Sequence, residues 1–444
     1  MTTARLMAVL TLALAGIGAS GTPASAGTET AQPHSNASQR AGTTRLVSVT
    51  PDGRSSSGES VDRPSTSADG RFVTFVSTGD DLVGGPPPGD NSQEIYLRDL
   101  RTGQTRLISH NADGVPGNHD SSWARISADG SHIVYSSSAT NIADGVLAAD
   151  SQCYVYDTAT DSSALISVEM HGGPLQDGDC LYPDISRDGT WVTFTSDAAD
   201  IALGDRDNLY DIYLVDVSAG GTALVSAALA HKPGRQNSYL SYISDDGTLV
   251  AYSSYVGNLV RHDPDGTAWD VFLYDARDQT TKRLTRTYDG TYGATEVSDI
   301  SADGSTVTLT STSQLIQGMP SRDFDDVYAY DVGSGTLSAV TSGADGGSYH
   351  SQLSADGRLL TLSSDATNLV EGDTNGATDV FLYDLESEEV TLVTRSADGG
   401  STDGSSWYPS ISGDGSRIAF RSAATNIVGA DQDPRPSTYV YRVF

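Results

Sequence analysis

Ser67-Ala68-Asp69-Gly70-Arg71-Phe72-Val73-Thr74-Phe75-Val76 decides the fold. A turn phrase, Ser-x-Asp-Gly, runs directly into alternating apolar residues, and period-two alternation rich in Val, Phe and Thr is a strand signal. The phrase returns at Ser127, Ser186, Ser244, Ser301, Ser354 and Ser412, at spacings of 60, 59, 58, 57, 53 and 58 residues. So even a period marks one supersecondary unit stacked on copies of itself. Within each unit a longer loop follows the first apolar run and leads to a second, such as Ile95-Tyr96-Leu97 or Val380-Phe381-Leu382-Tyr383. A tight turn such as Arg101-Thr102-Gly103 gives way to a third, Thr105 to Ser109, and a fourth, as in Tyr182 to Ser186, enters the next phrase. Four short strands per repeat, with Gly-bearing turns and no helical periodicity, describe a propeller blade.

The ends set the count. The seventh repeat stops at Phe444 after Tyr439-Val440-Tyr441, and Thr44 to Val49 has the pattern of the strand it lacks. Pairing the two closes the ring and removes two exposed sheet edges. The expectation is all-β: a seven-bladed β-propeller of four-stranded blades over residues 43–444, closed by the N-terminal strand completing the last blade. Residues that recur in every repeat are assigned to the fold. Asp69-Gly70 and its counterparts close turns, as do Asp99, Asp157, Asp216, Asp275, Asp331 and Asp384 before the hairpins.

These repeats resemble the WD40-like Pro-Asp repeats of the TolB-like propeller family, found in many exported bacterial proteins. The matching residues are Ser-x-Asp-Gly, the apolar strand behind it, Ile/Val-Tyr/Phe-Leu-x-Asp, and Leu-Ile/Val-Ser/Thr, across nearly all of residues 43–444. Ala mostly replaces the family's Pro before Asp-Gly, and nothing corresponds to the separate amino-terminal domain of TolB. The resemblance implies a propeller. Its members include scaffolds, binders and a few enzymes, so it implies no single activity.

Arg5, the apolar run Leu6 to Ile17 and Ala24-Ser25-Ala26 read as a signal peptide over residues 1–26, followed by a flexible tail over 27–42 rich in Ser, Thr and Ala. The expected location is secreted, extracellular or in the cell envelope, with no transmembrane segment after cleavage. Acidic residues outnumber basic ones 58 to 26, giving −32. That field repels phosphate backbones, so nucleic acid is not an expected partner; a monomer is. The two cysteines, Cys153 and Cys180, are a candidate disulfide between adjacent blades.

A site is expected on the face with the long loops, around the channel mouth. Acids there have oxygen ligands at alternate positions: Asp205, Asp207 and Asp211, then Asp373, Asn375 and Asp379, with related runs at Asp263, Asp265, Asp270 and at Asp323, Asp325, Asp326. Hard oxygens in a flexible loop make Ca²⁺ the candidate ion, although no loop has the closing Glu of an EF-hand. The alternative is turn aspartates capping backbone amides. Symmetry-breaking residues form the second set. Four residues before each serine stand Arg63, Trp123, Tyr182, Leu240, Val297, His350 and Tyr408; two before it stand Ser65, Arg125, Asp184, Tyr242, Asp299, Gln352 and Ser410. Trp123, Arg125, Tyr182, Asp184, Tyr242, Asp299, His350, Trp407 and Tyr408 are the candidate ligand-binding residues, for stacking on a sugar or clamping a peptide; the alternative is packing between blades. His110, His119, His171, His231, His262 and His350 fall at different registers, so no His-based metal site is expected.

There is no Gly-x-Ser-x-Gly elbow, His-Glu-x-x-His or phosphate-cradling loop. The expectation is therefore a non-catalytic binding or scaffold module for a protein or saccharide. The alternative is a polysaccharide lyase or glycosidase at the channel mouth, using Asp184 and Asp299 with Arg125 or His350. A third reading is an envelope platform for another protein.

Overall fold

The structure is a computed structural model describing residues 42–84, 92–146, 150–205, 208–228, 236–261, 268–287, 295–319, 322–429 and 433–444. The expected signal peptide and nearly all of the expected tail lie outside these residues. All regular elements described are strands, in seven four-stranded antiparallel sheets. Six sheets are consecutive, from Ser65–Leu107 in blade 1 to Ser348–Leu392 in blade 6. The seventh joins Ser406–Ile411, Arg417–Ser422 and Ser437–Arg442 to Thr43–Leu46, with Thr43 opposite Arg442 and Leu46 opposite Tyr439. The fold is the seven-bladed β-propeller anticipated from the repeats, closed as expected.

The Ser-x-Asp-Gly turn explains itself chemically. In blade 1 the Ser67 hydroxyl donates to Asp69 Oδ1 at 2.7 Å, the Arg71 N–H donates to the same oxygen at 2.9 Å, and the Phe72 N–H donates to Ser67 Oγ at 3.0 Å. Gly70 sits at φ +62°, and a Cβ on it would lie 2.4 Å from Arg417 Cγ of blade 7. Both the left-handed backbone and the closeness of the neighbouring blade exclude a side chain. Apolar side chains meet between blades: Val134 and Val155 of blade 2 pack with Ile185, Phe194 and Tyr213 of blade 3. The core is thus spread through the seams of the ring.

Backbone hydrogen bonds lash the inner end of the ring. Ala68 N–H donates to the Ala128 carbonyl, Ala128 to Arg187, Arg187 to Asp245, Asp245 to Ala302, Ala302 to Ala355 and Ala355 to Gly413; Asp414 donates back to Ala68. Every donor but the last is the x of Ser-x-Asp-Gly. A proline there has no N–H to give, so the residues that replace it, four alanines with Arg187 and Asp245, supply the hoop.

Candidate functional site

Each inner strand starts at the long-loop face, and most carry a bulge near that start, with register shifts flanking Trp123, Tyr182, Leu240, His350 and Tyr408. All five have left-handed backbones, φ +49° to +56°. Non-glycine residues held there cost on the order of 1–3 kcal/mol each and need their surroundings to fix them. The side chains crowd the mouth around Arg63. The Arg63 guanidinium lies 5.0 Å from the Trp123 ring centre and 5.3 Å from that of Tyr408, and Nη1 donates to the Tyr242 hydroxyl at 3.3 Å. Trp123 meets Tyr182 edge-on at 4.5 Å, and His350 meets Tyr408 at 4.3 Å. Burial, helped by the Arg63 charge, drives His350 down to about 3, so it is neutral at ordinary pH. Arg63, from the same register but outside the candidate set, is the hub of this plug. Trp407 stands under the Arg421 guanidinium, 5.5 Å away.

Beneath the plug lies a polar cavity of about 130 Å³. Arg125, Asp184, Asp299 and Gln352 line it, and its lining continues to exposed Arg187 and to Asp245 on the tight-turn face. Residues two before each serine do structural work here. Ser65 Oγ, Asp184 Oδ2, Asp299 Oδ2, Gln352 Oε1 and Ser410 Oγ each accept the N–H of the following blade, from Ile126, Ile243, Leu353, Ile411 and Thr66. Arg125 and Tyr242 depart from this pattern and face one another, the guanidinium 5.5 Å from the ring. Arg125 Nε is 3.9 Å from Asp184 Oδ1. Burial raises Asp184, and raises Asp299 to about 7 despite the Leu353 N–H and the Arg125 charge. The cavity is well below the ~300–1,000 Å³ of ordinary ligand pockets and has room for waters or a small ion.

A larger feature lies outside the channel on the long-loop face, and sequence reasoning missed it. Tyr210 and Tyr239 lie 5.1 Å apart, Tyr239 and Trp269 6.1 Å, and Tyr255 and Trp269 4.5 Å, by ring centres. All four are half-buried. Burial raises both Tyr210 and Tyr239, and the Trp123–Tyr182 pair stands apart as a second ring contact. Carboxylates flank the four rings: Asp197 and Asp179 act on Tyr210, and Glu296 on Tyr255.

Among the acid loops, Asp205 Oδ2 accepts the Tyr213 hydroxyl at 2.5 Å and Asp211 accepts the Ser226 hydroxyl. Asp207, Asp263 and Asp265 lie outside the described residues, as do His231 and His262. Asn375 and Asp379 are linked through Thr402: Asn375 Nδ2 donates to Thr402 Oγ1 at 3.1 Å, and Thr402 Oγ1 donates to Asp379 Oδ1 at 3.3 Å. Among the described residues no three His, Cys, Asp or Glu side chains converge. Cys153 and Cys180 are bonded to each other, with Cα atoms 5.5 Å apart.

No protein-family profile matches this sequence, and no curated protein matches it. Solved structures do. Oligogalacturonate lyase from Vibrio parahaemolyticus matches with TM-score 0.52 and 12% identity, over 90% of this chain and 96% of that one. The β-propeller domain of the Trilobed protease from Pyrococcus furiosus gives 0.53 at 12% identity, over 88% and 96%. TolB from Acinetobacter baumannii matches at 0.40 and 16% identity, over 79% and 76%. At such identities the first two likenesses speak to a shared propeller fold alone.

Proposed function

We propose that this chain is a non-catalytic binding propeller of the cell exterior or envelope, and that it takes a neutral saccharide chain along the aromatic arc of its long-loop face. One observation carries the reading: four rings, Tyr210, Tyr239, Trp269 and Tyr255, form a continuous half-buried path. Contiguous aromatic surface left half-exposed in this way marks an interaction site, because a folded chain otherwise buries it. Flat ring faces stack on the C–H faces of pyranose rings, while Asp179, Asp197 and Glu296 offer acceptors for sugar hydroxyls. The net charge of −32 repels polyuronates and other polyanions. An apolar leader and the Cys153–Cys180 bond support a location outside the reducing cytoplasm.

The lyase or glycosidase reading has less behind it. Asp184 and Asp299 each hold a neighbouring blade's N–H, His350 is neutral and boxed between Tyr349 and Tyr408, and the cavity between the carboxylates is too small for a sugar chain. Titration of the full chain with neutral oligosaccharides, oligogalacturonate and a basic peptide, followed by Trp fluorescence, tests the proposal. Neutral oligosaccharides alone are expected to change the signal, Trp269→Ala to weaken binding at least tenfold, about 1.4 kcal/mol, and no new reducing ends to appear. Binding only of the peptide, or release of reducing ends, overturns it.

A further inference from the structure

Four blades begin their third strand with a buried or half-buried aspartate: Asp211, Asp270, Asp326 and Asp379. Each accepts a hydrogen bond from a hydroxyl two residues past the outer strand, on Ser226, Thr285, Thr341 and Thr394. This corner therefore buries a carboxylate in these four blades, as it does with Glu94 in blade 1, whereas blades 2 and 7 place Gln152 and Ser437 there; a buried charge needs balancing. In blade 4 an arginine does so: Arg283 Nη2 lies 2.9 Å from Asp270. In blade 5 it is Arg322, whose Nε lies 3.5 Å from Asp326.

Blade 6 has neither. Arg283 stands opposite Phe272, and the matching residue opposite Phe381 is Leu392. Arg322 stands four residues before Asp326, and four before Asp379 stands Asn375. What blade 6 adds is a second acid. Asp379 is 1% exposed and Asp373 7%, and Asp379 Oδ2 and Asp373 Oδ1 are both buried with no hydrogen-bond partner. Arg395 bears on Asp373 while donating to the Gly399 carbonyl at 3.1 Å. Two buried carboxylates each keep an oxygen without a hydrogen-bond partner at the corner where blades 4 and 5 hold an arginine.

We infer that Asp373, Asn375 and Asp379 form a Ca²⁺ site that ties this loop of blade 6 to the connection into blade 7. The donors are hard oxygens without sulfur or imidazole, which disfavours soft transition metals. The loop is irregular, and Ca²⁺ tolerates irregular shells completed by carbonyls and water, whereas Mg²⁺ demands a near-ideal octahedron. Asn375 already bonds Thr402 in the connection, at 3.1 Å, so an ion there joins two segments that are in contact. With two carboxylates, the expected affinity is that of extracellular modules, Kd on the order of 10⁻⁴–10⁻³ M. The loop of blade 3 has the same spacing, but Asp205 Oδ2 there accepts the Tyr213 hydroxyl.

The test is calorimetric titration of the full chain, stripped with EDTA and desalted, with CaCl₂ and then MgCl₂. Asp373→Asn changes the carboxylate whose Oδ1 has no hydrogen-bond partner, and Asn375→Arg copies the arginine of blade 5; near-ultraviolet circular dichroism checks that both fold. The wild type is expected to bind one more Ca²⁺ than either variant, with Mg²⁺ at least tenfold weaker at that site. Equal Ca²⁺ uptake by all three chains, no uptake by the wild type, or equal preference for Mg²⁺ overturns the assignment.

Discussion

Arg63→Met tests whether the channel mouth is held by one residue. Methionine keeps an unbranched apolar stem and removes the guanidinium. Two cation–π interactions disappear with it, at 5.0 and 5.3 Å, each worth about 1 kcal/mol at half-buried rings. The 3.3 Å hydrogen bond to Tyr242 adds about 0.5–1 kcal/mol. Against this, Arg63 Nε is buried without a hydrogen-bond partner, and relieving it returns about 1 kcal/mol. The balance is a destabilisation of about 1.5–2 kcal/mol, since the favourable interactions outweigh the single orphan. Urea unfolding followed by Trp fluorescence measures it, with a shared slope for the two proteins. Arg63→Lys, charged but not planar, is expected to fall between them. The Arg63 charge is also the second cause, after burial, of the low His350 value, so His350 in Arg63→Met should titrate higher by NMR. Unchanged stability together with unchanged His350 titration would refute the hub.

Asp299 is raised to about 7 by burial. Its contribution to stability is therefore complete below the unfolded value near 4 and is lost as pH climbs through 7, by up to about 4 kcal/mol. Asp299→Asn keeps an acceptor for the Leu353 N–H, so its stability should fall less than that of the wild type between pH 5 and 8 in parallel melts; parallel pH profiles would contradict this. Gln279 holds φ +57° at the hairpin place where blades 1, 3 and 5 use Gly103, Gly220 and Gly335. Gln279→Gly should raise stability by roughly 0.5 kcal/mol, the relief of left-handed strain exceeding the entropy of glycine, read as a melting shift of about 1 °C; a lower melting temperature would count against it.

What the sequence makes legible is what it repeats locally. The turn at Ser67 is complete within six residues, so seven copies of its donors and acceptors can be read directly. Asp184 and Asp299 were candidate ligand groups because they break the symmetry. Their work as acceptors appears only once Ile243 and Leu353, 59 and 54 residues away, are brought alongside. The alternation of acceptors at that register, Ser, Asp, Asp, Gln and Ser, was the available clue. Tyr210 and Trp269 share one register, just before the third strands of blades 3 and 4, but Tyr239 sits inside Ser238–Ile243 and Tyr255 follows Leu249–Ser254, and only the folded ring assembles the four. Arg63 stands in the sequence as one of several residues at its register, since nothing local says that it reaches Tyr242, 179 residues on.

The pairing of Thr43–Leu46 with Ser437–Arg442 has a consequence for how the protein is made. The earlier strand of this pair waits for the later one, and bringing segments some 400 residues apart together carries an entropic cost of roughly 5 kcal/mol. Blades emerging in order pack against their predecessors, but blade 1 has no neighbour on its other side until blade 7 arrives. During synthesis the chain is a growing arc with two raw flanks, and it becomes a ring in a single late event. Pairings this distant in sequence also form slowly.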